Sequence, residues 1–241
     1  MTGGGAQPGS ARTRWSMVAA VADPDPALAR ASLIELCQRH WYPVHAFLRR
    51  HGHGPEDAHA LAAAFFRHLL SADRLDAAAR RHARFRQFLR AELERFVSAR
   101  QPASPAPSAD LPVPPLAELE ARLHADDALR RSPEEVLHRG FALQLLAAAR
   151  DRLREEAHAA GRGRLYEALA RFLGRDPDPG DHGAVARQLG VPPLHVAVAV
   201  RHLRLRFREL VDAGLGDTLA DPAELEAERE LLMRALADGA P

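Results

Sequence analysis

A proline-dense stretch in the middle of the chain constrains its fold more than any other feature. Six of the 18 prolines of this 241-residue sequence lie between residues 102 and 115. A helix cannot continue through them, because proline fixes φ and has no backbone N–H to donate. On both sides, apolar residues recur three and four positions apart, which is typical of amphipathic helices, and no alternating strand pattern occurs. The sequence therefore predicts an all-α protein with two helical modules joined by a Pro-rich linker.

Capping signals give the boundaries of these modules. The motif Ser-Pro-Glu-Glu at 132–135 has a serine N-cap, a proline at the first helical position and a glutamate that can bond back to the cap. An Asp-Pro pair at 221–222 begins a final amphipathic helix. We expect five segments: a disordered N-terminus (1–13), a first module (14–101), the Pro-rich linker (102–131), a second module ending in a helix-turn-helix (132–220) and a C-terminal helix with its tail (221–241).

The composition indicates a globular protein of the cytoplasm. Hydrophobic residues make up 46% of the chain, which is enough for a packed core. Cys37 is the only cysteine, so no intramolecular disulfide is possible and a reducing compartment is the simplest location. No apolar run approaches the ~20 residues that span a bilayer, and the glycine-rich N-terminus lacks the apolar stretch of a signal peptide. We therefore expect a cytoplasmic protein without a membrane partner.

Residues 184–210 predict a helix-turn-helix. A short helix leads to Gly190, which can adopt the positive φ of a sharp turn. Pro192 and Pro193 follow where a new helix begins, and a missing N–H costs little there. The second helix has one apolar stripe at helical spacing. That stripe consists of Val196, Val200, Leu203, Phe207 and Leu210.

The charged side chains of this second helix lie on the two flanks of its stripe. The segment 184–210 contains five arginines and one glutamate. Arginine at such positions hydrogen-bonds to phosphates and to guanine edges, so the segment predicts binding to duplex DNA. A surface helix with solvated charges is the alternative. The candidate DNA contacts are Arg201, Arg204 and Arg208 on one flank and His195 and His202 on the other.

Three segments occur in an order that resembles a known family. The first is WYPVHAFLRRHGHGPEDAHALAAAFFRHLL (41–70), a helix–glycine–helix segment with paired phenylalanines. The second is RFRQFLRAELERF (84–96), and the third is RQLGVPPLHVAVAVRHLRLRFREL (187–210). In this order they resemble the bacterial RNA polymerase sigma factors of the extracytoplasmic-function (ECF) type. Two further segments resemble one sub-group of that family, namely TRWSMV (13–18) and LADPAELEAERELL (219–232).

The resemblance implies a transcription initiation factor with no enzymatic step and no cofactor of its own. The first module would bind core RNA polymerase at a coiled coil of the largest subunit, and the segment 84–96 would contact the melted upstream promoter element. The helix-turn-helix would bind promoter duplex DNA at the −35 element, and an anti-sigma regulator is a further candidate partner. The implied polymerase contacts are Asp57, Leu61, Phe65 and Phe66, and the implied upstream DNA contacts are Arg84, Arg86 and Arg90.

Departures from the family pattern favour a second hypothesis. Ala60, Ala63 and Ala64 stand where the polymerase-binding helix of the family has acidic and amide side chains. Ala197 and Leu205 stand where its recognition helix commonly has basic ones. The alternative is therefore a degenerate sigma-like interaction module that has lost polymerase or DNA binding.

Other polar residues have simpler explanations. Glu92 and Glu94 balance the arginines of 84–96, which equally fit a solvated face. The thirteen histidines lack the four-ligand spacing of a zinc site, and Cys37 lies among apolar neighbours at core spacing. No nucleophile–base pair and no phosphate-binding loop is recognisable. We therefore expect no metal, no cofactor and no catalytic site.

Overall fold

The computed structural model describes residues 26–70, 84–99, 113–219 and 221–237. Over these residues the protein is all-α, as the sequence predicts. It consists of helices, turns and one isolated bridge between Arg84 and Leu219, without a strand. No helix in this part of the chain is long and apolar enough to cross a bilayer. The expected disorder of 1–13 and the linker residues 102–112 lie outside the described residues.

Nine α-helices follow one another along the described residues, connected by turns and three short 3-10 helices. The α-helices are α1 (Pro26–Arg50), α2 (Pro55–Leu70), α3 (Phe85–Ser98), α4 (Leu116–Ala125), α5 (Pro133–Ala159), α6 (Gly163–Leu169), α7 (Asp181–Leu189), α8 (Pro193–Gly216) and α9 (Leu225–Ala237).

The described residues divide into two compact units. The first lies within Met1–Leu137 and includes a later segment, Asp217–Glu224, whereas the second comprises His138–Gly216 and the residues from Leu225 onward. The boundary therefore falls inside α5 and not at residue 132, where the sequence predicts the second module to begin. The capping signal is nevertheless real. The Ser132 N–H donates to a Glu135 carboxylate oxygen at 2.7 Å, and the Glu135 N–H donates to Ser132 Oγ at 3.2 Å. It marks the start of a helix, which need not be the start of a unit.

An aromatic core joins α1, α2 and α3 in the first unit. Trp41 stacks on Phe66 with ring centroids 5.1 Å apart, and Phe65 meets Phe96 edge-on at 5.6 Å. Burial of each such ring contributes roughly 1.5–3 kcal/mol. The turn between α1 and α2 passes through Gly52 at φ 90°, a conformation that glycine adopts without strain.

Helix α4 lies within the predicted linker, where the structure differs from the sequence prediction. Its apolar residues Leu119 and Leu123 are buried. Beside them, Glu120 accepts a hydrogen bond from Arg49 Nε at 2.9 Å and lies 2.8 Å from His45 Nε2, and both of these partners are on α1. Residues 116–131 therefore belong to the first unit and not to a linker, because one buried turn and a polar contact to a distant helix hold them there.

The segment Asp217–Glu224 also belongs to the first unit, although the sequence assigns it to the second module and the C-terminal helix. The Phe85 N–H donates to the Thr218 carbonyl at 3.0 Å, and Arg84 Nε donates to Glu224 at 2.8 Å. These contacts begin α3, whose first N–H groups have no partner within the helix.

The second unit is built around the pair of helices α7 and α8. Its core consists of buried residues from α6, the following 3-10 helix, α7 and α8. Helix α9 is attached to the same unit, since Arg139 on α5 donates to the Leu236 carbonyl at 2.8 Å and Arg229 Nε donates to Asp212 at 3.0 Å. The core residues are Leu169, Phe172, Val185, Ala186, Val196 and Val200.

Candidate nucleic-acid interface

The candidate interface is centred on α7, a three-residue turn and α8. Gly190 closes α7 at φ 68°, in the left-handed region where a side chain would be strained. The N–H groups of Gly190 and Val191 both donate to the Ala186 carbonyl, which satisfies the end of the helix. Pro193 then occupies the first position of α8, as the sequence predicts.

The apolar stripe of α8 faces the core of the second unit. Val196 and Val200 are 0% and 4% exposed, and Leu203 packs against the same cluster. Phe207 and Leu210 are half-buried further along the helix. This orientation fixes which side chains of α8 are presented to solvent, because residues opposite the stripe must point outward.

Four of the predicted DNA-contacting residues reach solvent on the two flanks of α8. Arg201 and Arg208 are exposed on one flank, and His195 and His202 are exposed on the other. An open groove of about 500 Å³ runs beside the arginine flank. Positive charge at an exposed groove attracts phosphate, and guanidinium donors fit phosphate and guanine geometry.

The fifth predicted residue, Arg204, is held against its own unit. Its Nε donates to the Phe172 carbonyl at 2.8 Å, one terminal nitrogen binds Asp176 at 2.8 Å, and the other donates to the Arg175 carbonyl at 2.6 Å. All three guanidinium nitrogens therefore have partners. Arg204 ties α8 to the loop that precedes α7, so it is not available as a reader of bases in the way the sequence predicts.

A second arginine of α8 is also engaged on the histidine flank. Arg206 binds both carboxylate oxygens of Glu156 on α5, each at 2.9 Å, and contacts Glu209 at 2.9 Å. These hydrogen bonds raise the pKa of Arg206 and lower that of Glu156. The charge of Arg206 is thus compensated locally although its side chain is exposed, whereas Arg201 and Arg208 are the other exposed arginines of this helix.

Three aliphatic side chains on the outward side of α8 form a group that is not among the contacts predicted from the sequence. Leu194 is 72% exposed, Val198 is 44% exposed and Leu205 is 55% exposed. They are four and seven residues apart in the sequence, which places them on one helix face. This spacing is the sequence signal that indicates the group. We call these three residues the outer stripe.

The structure divides the four predicted polymerase contacts. Asp57 is exposed and Leu61 is half-buried, but Phe65 and Phe66 are both 0% exposed. The two phenylalanines therefore do not form an exposed docking face. Neighbouring residues on a helix point about 100° apart, and here both directions meet aromatic partners, Trp41 for one ring and Phe96 for the other.

The predicted upstream DNA contacts on and before α3 are engaged with the first unit. Arg84 is paired with Glu224, Arg86 is 4% exposed, and Arg90 binds Glu94 at 2.8 Å as well as Glu134. These arginines fit the alternative of a charge-balanced surface better than that of an exposed DNA-binding face.

The remaining histidine, cysteine and acidic residues are the possible metal ligands in the part of the chain that the structure describes. No group of three or more potential metal ligands is found among these residues. Burial raises the pKa of the Cys37 thiol to about 12, so it stays protonated and behaves as a core residue. The exposed guanidinium and imidazole groups of α8 are suited to binding an anion. No protein-family model, no curated protein and no solved structure matches this chain.

Proposed function

We propose that this protein is a sigma-factor-like transcription initiation protein of the ECF type. Its second unit binds promoter duplex DNA through α8, and its first unit binds core RNA polymerase. The observation that carries the proposal is the exposed pair Arg201 and Arg208 on a helix that follows a short helix and a left-handed glycine turn. A helix of this kind enters the major groove in helix-turn-helix proteins.

The observations support the proposed DNA binding more strongly than the proposed polymerase binding. Asp57 and Leu61 reach the surface of α2, and Ala60 is exposed where the resembling family has an acidic residue. Each charge-assisted hydrogen bond missing from such a surface removes roughly 1.5–3 kcal/mol. We therefore expect polymerase binding to be weaker than that of a sigma factor with the full acidic pattern.

The proposed DNA binding is tested with the full-length chain and a fluorescently labelled mixed-sequence duplex. Fluorescence anisotropy measures the binding constant at several salt concentrations. The logarithm of this constant should fall linearly with the logarithm of the salt concentration, with a slope of about 0.9 for each phosphate contact. The double substitution Arg201→Ala and Arg208→Ala should weaken binding and reduce this slope. Arg234→Ala on α9, where the side chain is 75% exposed, removes one charge elsewhere in the unit and serves as the control. Absence of duplex binding at low salt would overturn the proposal that the second unit binds DNA.

A second candidate function is a sigma-like module that docks another regulator. It is favoured by the complete burial of Phe65 and Phe66, which leaves α2 with few of the contacts implied by the resemblance. Co-elution of the full-length chain with purified core polymerase on size exclusion separates the two. Co-elution that strengthens in the variant Ala60→Asp supports the sigma-like proposal, and its absence in both proteins supports the interaction module.

A further inference from the structure

The outer stripe forms the middle of the face that α8 presents to solvent. At about 100° per residue, Leu194, Val198 and Leu205 point within about 40° of one another. They lie on the side opposite Val196 and Val200, which are buried in the core. The stripe spans about 16 Å along the helix, since each residue advances the axis by about 1.5 Å. Arg201 falls between Val198 and Leu205 in the sequence and lies at the edge of the stripe.

Cationic and imidazole side chains border this apolar stripe on both sides. Arg201 and Arg208 are exposed along one edge, and His195 and His202 are exposed along the other. The guanidinium groups of Arg201 and Arg208 favour a polyanion as the occupant of the face, and the exposed carboxylate of Glu209 on the histidine edge is compensated by Arg206 at 2.9 Å. A single convex helix with such a border fits the major groove of duplex DNA, which is wide enough to admit an α-helix.

Few side chains on this face of α8 can recognise a base by hydrogen bonding. Arg204 is fully engaged with its own unit, and Ala197 and Leu205 have no donor to offer a base. An aliphatic side chain pressed against a polar base edge would desolvate that edge without replacing its hydrogen bonds. The C5-methyl group of thymine is the one apolar feature of a base edge in the major groove.

We propose that the outer stripe reads thymine methyl groups, so that α8 recognises T-containing duplex sites mainly by van der Waals contact. This inference rests on the proposed binding of duplex DNA by the second unit. Recognition helices contact bases mostly with their N-terminal residues. Leu194 and Val198 therefore make the principal contacts, Leu205 lies towards the end of the contact, and Arg201 and Arg208 supply phosphate contacts that are independent of sequence.

The probes are two randomised duplex libraries, one with thymine and the other with uracil at every thymine position. Uracil lacks only the C5-methyl group, so the charge and pairing of the duplex are unchanged. Selection with the full-length chain should enrich thymine at fixed positions of the first library. Replacement of one contacted thymine by uracil in the best duplex should weaken binding about fourfold, the value expected for one buried methyl group.

The variants assign the effect to the stripe. The double substitution Leu194→Ala and Val198→Ala should reduce the thymine-to-uracil ratio of affinities to near one while the salt slope is retained. Met233→Ala removes another exposed aliphatic side chain, 61% exposed on α9, and should leave the ratio unchanged. Circular dichroism of each variant checks that the helices are intact.

Two further outcomes overturn the inference in distinguishable ways. Duplex binding of equal strength with thymine and uracil leaves the proposed function standing but rejects methyl readout. Absence of duplex binding rejects both. If, in addition, the chain self-associates and Leu194→Ala with Val198→Ala abolishes the association, the stripe is a protein-docking face.

Discussion

At the scale of single residues, α8 separates anchoring from recognition. Arg201 and Arg204 are three positions apart on the same flank of the sequence pattern, yet one is exposed and the other donates to Asp176 and to two backbone carbonyls. Periodicity places both on one flank, but it carries no information about a loop some thirty residues away. The carbonyl partners of Arg204 come from the 3-10 helix Ala170–Leu173 and from the loop before α7, and only the folded chain brings them within reach.

Arg204→Ala should destabilise the second unit with little change in the salt slope of DNA binding. The three hydrogen bonds involve a charged donor that is 27% exposed, so we expect a loss of about 1–3 kcal/mol in the free energy of unfolding. Arg201→Ala is the matched variant and should behave in the opposite way. Urea unfolding monitored by circular dichroism, together with anisotropy titrations, measures both quantities. A large salt-slope change in Arg204→Ala would contradict the anchoring role.

Acidification should destabilise the first unit through a buried histidine. Burial, and to a lesser extent the charge of Arg39, lowers the pKa of His40 to about 3. The unfolded chain, with a histidine pKa of about 6.5, binds this proton more readily, so stability is present at neutral pH and is lost as the pH falls below about 6.5. By pH 5 the loss from this group alone should be about 2 kcal/mol.

Unfolding by urea at a series of pH values checks this expectation. His40→Leu should make the profile between pH 7 and pH 5 less steep, because one proton fewer is taken up on unfolding. Part of the slope should remain, since burial also lowers the pKa of His45 in the same unit. His195→Ala, which removes an exposed histidine of the second unit, is measured alongside as the control. A His40→Leu profile as steep as that of the parent would contradict the assignment.

At the scale of helices, the sequence predicts those elements whose signals are local. The α7–turn–α8 segment is predicted because a glycine, two prolines and an apolar stripe fall within one short window. Helix α4 is not predicted because the prolines before it obscure its two apolar positions, and because the partners of Glu120 are on α1, 71 and 75 residues away. The burial of both Phe65 and Phe66 likewise depends on rings from two other helices.

Gly190→Ala should destabilise the second unit, and Gly183→Ala should not. Gly190 has φ 68°, so an alanine there would be strained by about 1 kcal/mol although nothing lies within 4 Å of its Cβ. Gly183 lies inside α7 at negative φ with open space around it, and alanine there should stabilise the helix by up to about 1 kcal/mol. Thermal unfolding of the two variants gives opposite shifts. Equal shifts would mean that the turn is not held at positive φ.

Glu120→Ala should loosen α4 from the first unit. Its carboxylate joins Arg49 and the buried His45, and its removal leaves those groups without a charged partner, at an expected cost of about 1–3 kcal/mol. Amide hydrogen exchange over Leu116–Ala125 should speed up. Glu118→Ala, an exposed acidic residue of the same helix, is the control and should leave exchange close to that of the parent. Unchanged exchange in Glu120→Ala would show that Leu119 and Leu123 hold the helix alone.

At the scale of the whole molecule, the chain order and the spatial units do not coincide. The sequence predicts consecutive modules with the Pro-rich stretch as the boundary between them. In the structure, α4 and the segment Asp217–Glu224 belong to the first unit although they follow that stretch. These assignments depend on contacts between residues far apart in sequence, such as Phe85 with Thr218, which no local pattern encodes.

Limited proteolysis should therefore cut the chain without separating it. The prolines at 102–115 predict an extended, accessible stretch, so we expect the first cut there. The two fragments should co-elute on native size exclusion, because Tyr42 and Arg49 on one side remain bound to Asp126 and Glu120 on the other. They should separate only in denaturant. Fragments that separate under native conditions would contradict the placement of α4 in the first unit.

The return of Asp217–Glu224 to the first unit has a consequence for synthesis on the ribosome. The Thr218 carbonyl and the Glu224 carboxylate that complete the start of α3 are translated after the whole stretch from His138 to Gly216. At about 5–20 residues per second, that intervening stretch occupies roughly 4–16 seconds. The nascent N-terminal part must wait through this interval with the start of α3 incomplete. The second unit also needs α9, which is made later still, so neither unit is complete before the C-terminal part of the chain has been translated.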